Sequence, residues 1–343
     1  MRRRAVAPSW TQKIAIAALL FGAVAMPARA DEVKPTDITL VNPAISLSFS
    51  AAYLAEDLGI FAMHGLRVKM IEIPGVGAIN AVISGSAEFA QPSSLSLTRA
   101  AAHGQRLLAI AETSNKPIIQ VALRKELAEA GGFDPKASFE KRAALLRGRT
   151  IAVDATGSLI HAYALLMAKR AGIDANSVQI AFMQPPNMIA AFQSKQIDGY
   201  AMSPPWPLIP VVQGTAVMIA SGPDGEPADL EPFANNVVVT KPETCQQRRP
   251  LCQAVGTSFV EAEAYIADHP SDALELLKKR FSTLDGQVLA AAFEAIRKIS
   301  PNPPLVSKKG MENAEIFNID AELMKPEEKL ATYDGLSTDE FVK

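Results

Sequence analysis

"AINAVISGSAEFAQPSS" covers residues 78–94, and "IAAFQSKQIDGYAMSPPW" covers residues 189–206, roughly a hundred positions later. Each reads as a helix, a short polar turn, an acid that opens a strand, and a Ser/Pro cluster where that strand ends. Aligned on Glu88 and Asp198, Ala81 falls on Ala191 and Ser84 on Ser194. A repeated unit of this kind predicts two similar α/β halves. In open α/β sheets, ligands sit in crevices beyond the carboxyl ends of the strands. Two halves facing each other bring Ser93 and Ser94 to one wall of a cleft, and Ser203 with Trp206 to the other. The plainer reading is that Ser and Pro merely end strands; the repetition favours a site.

The rest of the chain fits the same plan. "TDITLVNP" and "LRVKMIEIP" read as strands, separated by the helix "SFSAAYLAEDLG" that Gly59 ends. "AEFAQP", "RLLAIAET" and "PIIQVALRK" are three more strands. The polar stretch "ELAEAGGFDPKASFEKRAALLRG" reads as a connecting segment with its own helix. A second α/β series opens at "GRTIAVDATGS" and runs through "LIHAYALLMAKRAG", "VQIAFMQP" and "DGYAMSPP" to "AVMIASG". "SGPDGEPADLEP" is a loop, "NNVVVTKP" a last strand, and helices dominate from there to the end. The class is α/β, with largely parallel strands.

Arg2–Arg4, the uncharged apolar run at 14–26 and Ala28-Arg29-Ala30 have the layout of an export signal cut after Ala30. The apolar run is too short to span a bilayer. The triple arginine admits twin-arginine export, but Ala5-Val6-Ala7 fits ordinary secretion better. Five of the 34 basic residues fall in residues 1–30, which hold no acid; the remainder carries 29 basic and 36 acidic residues, a formal −7. That excess argues against nucleic acid or an anionic membrane surface as partner. The expectation is an exported, periplasmic monomer without cofactor or metal. Two cysteines and four scattered histidines show no zinc-ligand spacing.

Cys245 and Cys252 form an even pair in an oxidising compartment, which suggests a disulfide; two free thiols are the alternative. On one helix they would stand about 10 Å apart, against the ~5.5 Å a disulfide needs. The bridge therefore asks for Cys245 in the loop "KPETCQQRRP" and Cys252 just inside the helix after Pro250.

"AAYLAEDLGIFAMHGLRVKMIE" resembles the opening of the nitrate/sulfonate/taurine-type substrate-binding proteins of ABC transporters, through Gly59, Phe61, Gly65, Leu66 and Val68. "GAINAVISGSAEFA", "LRGRTIAVDATGSLIH" and "AAFQSKQIDGYAMSPPW" resemble later blocks of that family, in order and at its spacing. The pyrimidine-precursor proteins of thiamin synthesis share the architecture. The resemblance implies a two-lobe periplasmic-binding-protein fold (type II, a Venus flytrap) with two crossover segments. On this plan residues 31–123 begin lobe 1, residues 124–235 form an inserted lobe 2, and residues 236–343 return to lobe 1 with the C-terminal helices. The crossovers are expected near Leu123–Arg124 and Asn235–Asn236. The implied partners are a small-molecule ligand, a membrane permease and its ATPase.

Helix N-termini bind anions without a basic side chain, and three candidates open toward such a cleft. "AISLSFS" offers Ser46, Ser48 and Ser50, with Phe49 among them; "PGVGA" allows close backbone approach at Gly75 and Gly77. "DATGSLIH" offers Thr156, Gly157 and Ser158, with His161 one turn further on. Ser158 is also adequate as an ordinary helix cap, and His161 as a packed histidine. Phe49 and Trp206 are candidate walls, and Thr113, Ser114 and Asn115 weaker contacts. No Arg or Lys lies within these segments. The expected cargo is a small organic anion, a sulfonate or carboxylate with room for an aromatic body; a neutral heterocycle such as a pyrimidine is the alternative. An enzyme resembling yeast-type pyrimidine synthases would carry a cysteine-rich iron-binding motif, and two cysteines do not supply one. Neither a nucleophile elbow nor a phosphate-binding loop is present in the sequence.

Overall fold

A chain that leaves one sheet at its carboxyl edge and enters a second sheet at its carboxyl edge has to run against the strands it joins. This happens twice in the computed structural model, which describes residues 34–322 and 324–343. The expected export signal and its cut after Ala30 lie outside the described residues.

The first lobe opens with β1 (Thr36–Asn42), α1 (Ser50–Asp57), α2 (Ile60–Met63) and β2 (Leu66–Glu72). It continues with α3 (Gly77–Ser84), β3 (Phe89–Ala90), α4 (Ser94–Ala102) and β4 (Leu108–Ser114). The chain then enters β5 (Gln120–Arg124), α5 (Lys125–Ala130), α6 (Phe139–Ala143), β6 (Thr150–Val153) and α7 (Leu159–Arg170). β7 (Gln179–Phe182), α8 (Pro185–Gln193), β8 (Gly199–Met202), α9 (Leu208–Val212) and β9 (Ala216–Ser221) complete that half. β10 (Asn236–Thr240) follows, and then α10 (Pro242–Gln247), α11 (Arg249–Asp268), α12 (Pro270–Arg280), α13 (Gly286–Arg297) and α14 (Lys308–Asp320).

The first sheet has the order β2-β1-β3-β10-β4 and the second β7-β6-β8-β5-β9. The strands of each sheet are parallel except the one that follows a crossing. β10 runs antiparallel to β3 and β4, and β5 antiparallel to β8 and β9. The expectation of largely parallel strands holds apart from these two. Because β5 pairs within the second sheet, the first crossing lies between Ser114 and Gln120. It is upstream of the Leu123–Arg124 expected from the sequence. The apolar run "PIIQVALRK" reads as a strand in either lobe, and only its pairing assigns it. The return runs between Ser221 and Asn236.

The repeat seen in the sequence is a set of identical hydrogen bonds. Ser86 and Ala87 donate to the Ala81 carbonyl, as Gln196 and Ile197 do to Ala191. Glu88 accepts the β1 amide of Thr39 at 2.8 Å, and Asp198 accepts the β6 amide of Thr150 at 2.9 Å. Each acid therefore ties its helix–turn–strand unit to the neighbouring parallel strand. The helix in each unit is left through a left-handed residue, Gly85 (φ 81°) in one and Lys195 (φ 62°) in the other. Glycine takes that conformation freely; lysine does not.

The C-terminal helices do not all return to the first lobe. α11 packs on α1, α2 and β4, as expected. α13, however, lies between the 3-10 turn Leu47–Phe49 of the first lobe and α9 of the second. α14 touches α4 in one lobe and α7 in the other. Met311 near its start joins the first-lobe core. Phe317, two turns on, joins the second, with ring centroids 5.6 Å from Phe233 and 6.4 Å from Tyr163. Burying a ring of this kind stabilises by roughly 2–3 kcal/mol. Residues 236–343 thus belong to both lobes, because α14 buries its apolar residues in two cores.

Cys245 and Cys252 are bridged, with Cα atoms 5.4 Å apart. Cys245 stands on the short helix α10 rather than in a loop. The backbone break at Arg248 (φ −128°, ψ 50°) separates α10 from α11 and lets the two sulfurs meet.

Two stability measurements follow from these contacts. Replacing both cysteines by serine is expected to lower unfolding free energy by about 2.5 kcal/mol, the loop-closure entropy of so short a loop, in urea titrations. Lys195→Gly is expected to raise stability by up to about 1 kcal/mol, because the exposed Lys195–Glu126 pair (3.1 Å) that it loses is worth little. A loss of stability in Lys195→Gly would show that the left-handed turn carries no strain.

Candidate functional site

The five residues between β4 and β5 bring the carboxyl edges of both sheets to one place. On the first lobe this edge comprises the segments after β1, β2, β3 and β4. On the second it comprises those after β6, β7, β8 and β9, together with the start of β5. The two lobes touch directly there: the Ser46 hydroxyl donates to the Pro204 carbonyl at 3.4 Å.

On the first lobe, Ser46 caps the turn Leu47–Phe49 and pairs with the Ser48 hydroxyl at 2.7 Å. Phe49 is buried in the first-lobe core and packs there with Leu47 and the α13 side chains. Gly75 (φ 61°) is open, with nothing near the position of an added Cβ. Gly77 differs, because a Cβ there would stand 2.6 Å from Ile73 Cγ2. Its small size serves the packing of Ile73. Ser93 caps α4 and pairs with Asn236 of β10. Ser94 is fully buried; its hydroxyl donates to the Ala234 carbonyl at 2.5 Å and its amide to that of Asn235 at 3.0 Å. It fastens the return crossing.

On the second lobe, Ser158 caps α7, accepting the His161 amide at 3.0 Å and donating to Asp154 at 2.5 Å. Thr156 is exposed beside it. The Gly157 amide donates to His161 Nδ1 at 3.1 Å, so the neutral ring carries its proton on Nε2. Burial holds the His161 pKa below the ordinary histidine value, against the pull of Asp154. Burial likewise raises the Asp154 carboxyl, partly offset by Ser158. The His161 ring meets Phe182 edge-on at 5.3 Å. Ser203 is buried, and its carbonyl accepts the Trp206 amide across the cis Pro204–Pro205 pair. Trp206 packs against the second-lobe core and accepts the Tyr200 hydroxyl on its carbonyl.

Several residues at this edge were not anticipated. Gln91 and Asn42 form a buried pair, Nε2 to Oδ1, at 2.7 Å. Gln120 bonds Ser221 at 3.3 Å, and Asn235 bonds Asn236 at 3.0 Å. Ile45, Val76 and Phe182 are apolar and exposed, Phe182 at 48 %. All of these lie at or just beyond the carboxyl end of a strand, or at the start of an antiparallel one. That position is the signal that finds them once strand direction is known. Apart from Lys116 in the crossing, which pairs with Glu231, the segments at this edge hold no lysine or arginine; apolar side chains, hydroxyls, amides and helix N-termini make up the rest of it.

A cavity of about 530 Å3 lies where the chain passes between lobes, lined by Glu112, Asn115, Lys116, Glu231, Pro303 and Ser307 among others. Lys116 and Glu231 pair at 2.8 Å, and Glu112 accepts the Ser307 amide at 2.8 Å. Among the described residues no group of three or more His, Cys, Asp or Glu is placed to hold a metal ion.

The family described as "NMT1/THI5 like" matches residues 46–273. No curated protein matches the sequence. The fold is similar to that of the alkanesulfonate-binding protein SsuA from Xanthomonas axonopodis pv. citri, solved with MOPS. Identity is 18 % over 87 % of this chain and 96 % of that one, with a TM-score of 0.66. The aliphatic sulphonate binding protein SsuA of Escherichia coli gives 19 % identity, 84 % and 86 % coverage and a TM-score of 0.62. The nitrate-binding protein NrtA of Synechocystis PCC 6803 gives 13 % identity, 90 % and 87 % coverage and a TM-score of 0.69. The two-lobe fold read from the sequence is thereby borne out.

Glu112 makes the face between the lobes sensitive to pH. Burial pushes its carboxyl up to about 8 from 4.5, the Ser307 amide pulls it down, and Asp339 adds a further upward push. A carboxyl raised in the folded chain favours folding fully below its ordinary value and loses that contribution as pH rises. Relative to Glu112→Gln, the wild-type chain is expected to lose on the order of 3 kcal/mol between about pH 5 and pH 8. Thermal melts of both proteins across that range check it; parallel curves would refute it.

Proposed function

Because the chain belongs to the NMT1/THI5-like family, we propose that it is the periplasmic solute-binding component of an ABC importer. It captures a small organic solute between its lobes, closes on it by a hinge motion and presents it to a permease and ATPase. The observation that carries this reading is the meeting of two sheet edges across a five-residue crossing, with polar uncharged side chains and exposed apolar ones at the junction. An exposed Phe182, with Ile45 and Val76 on the facing lobe, suits a cargo with a carbon body better than a bare inorganic ion. The protein is secreted, works as a monomer and performs no chemistry on its cargo.

The structurally similar proteins named for alkanesulfonate and nitrate support an anion as cargo, as do the N-termini of α3, α4 and α7 at the cleft. The cleft segments hold a single cation, Lys116, which is already paired with Glu231, and this supports a neutral heterocycle instead.

The test is a thermal-shift panel on residues 31–343, unfolded and refolded to remove carried ligand. Alkanesulfonates, taurine, nitrate, aromatic carboxylates and pyrimidines are offered in turn. A cognate solute at about 100 times its dissociation constant adds roughly 2.7 kcal/mol, a shift of several degrees. Silence from every organic class, with no small molecule co-purifying by mass spectrometry, would sink the proposal.

A further inference from the structure

Buried polar atoms without partners are costly, each by more than a hydrogen bond returns. Among the described residues, five such side chains lie at the junction of the lobes: Gln91, Thr113, Ser114, Asn115 and Gln120. Gln91 is 0 % exposed and follows the carboxyl end of β3; Gln120 is 4 % exposed and opens β5 in the other lobe. In both glutamines the amide nitrogen is already engaged. Gln91 Nε2 donates to Asn42 Oδ1, and Asn42 is itself oriented by its own amide nitrogen meeting Met70 Sδ at 3.8 Å. Gln120 Nε2 donates to Ser221 Oγ. What each glutamine leaves without a partner is its carbonyl oxygen, which only accepts. The hydroxyls of Thr113 and Ser114 can accept as well as donate. Of the other carboxamides at this edge, Asn42, Asn235 and Asn236 have their oxygens taken by Gln91, the Ile118 amide and Asn235, while Asn115 Oδ1 in the crossing is a third oxygen without a partner.

We infer that the cargo carries at least two N–H or O–H donors, one for Gln91 Oε1 in the first lobe and one for Gln120 Oε1 in the second. Its polar head is an amide, amidine, amine or aminated ring, and it is not a bare oxyanion. The inference rests on the interlobe site proposed above and names the chemistry that site takes. An oxyanion without donors leaves both carbonyls unpaired and sets its own negative charge against them. A donor head pairs with both lobes at once, so the same two atoms select the cargo and hold the lobes together around it.

The experiment uses probes with one body and different heads: benzoate, benzamide and benzamidine, with butane-1-sulfonate and nitrate as further oxyanions. Binding to residues 31–343 is measured by calorimetry, and ligand-free crystals are soaked with each probe at the same concentration. Benzamide or benzamidine is expected to bind with its N–H groups on the two glutamine oxygens, and benzoate not to bind. Gln91→Met and Gln120→Met each weaken the donor probe by about tenfold or more. Gln120→Glu keeps an acceptor and restores benzamidine binding, which a merely structural role for Gln120 would not do. Oxyanion binding that ignores both substitutions would overturn the inference and leave the interlobe site standing. Ordered water on both oxygens and no donor probe in the soaked crystals would overturn it too. Probes of either class bound only outside the junction of the lobes would remove the interlobe reading itself.

Discussion

Five residues separate the end of β4 from the start of β5, and that span constrains most of what surrounds it. So short a connection cannot carry the chain along the length of a second sheet, so it has to enter at the edge it faces. It enters antiparallel, and the two carboxyl edges are left opposed. The return crossing is longer and ends on β10, which is again the antiparallel strand of its sheet. The cleft is therefore a consequence of how the chain is threaded, before any side chain is considered.

Each half then repeats one local device. An acid at the mouth of β3 or β8 accepts an amide from the adjoining parallel strand, and a helix carbonyl at Ala81 or Ala191 accepts two amides from the turn. These bonds set where the strand ends and hence where Ser93 and Ser203 emerge. The second lobe adds a lock of its own. Arg124 is buried, donates to the carbonyls of Phe192 and Ile197, and stacks on the Phe192 ring at 4.3 Å. A cation so placed has its hydrogen bonds satisfied within the lobe, at the end of β5 away from the cleft.

The halves are not joined by the crossings alone. α13 and α14 each touch both lobes, and the passage between them, residues 298–307, borders the cavity that contains Glu112. Three passages of chain thus meet between the lobes, the third bonded to β4 through Glu112 and to Asn115 through the Ile299 carbonyl. Relative movement of the lobes has to be accommodated at those contacts as well as at the two crossings.

The amino-acid pattern alone was enough for the α/β class, the repeat, the cap Ser158, and a bridge between Cys245 and Cys252. These depend on residues close in sequence, where periodicity, capping and spacing act directly. Only tertiary structure assigned "PIIQVALRK" to the second lobe, set α14 across two cores, and drew Phe49 and Ser94 inward. Gln91 and Gln120 escaped notice for the same reason. A glutamine in a sequence has no address until strand direction and a distant partner, Asn42 or Ser221, fix which of its two polar atoms is left free. That choice is made by pairing across 49 positions in one case and 101 in the other, and no local pattern encodes it.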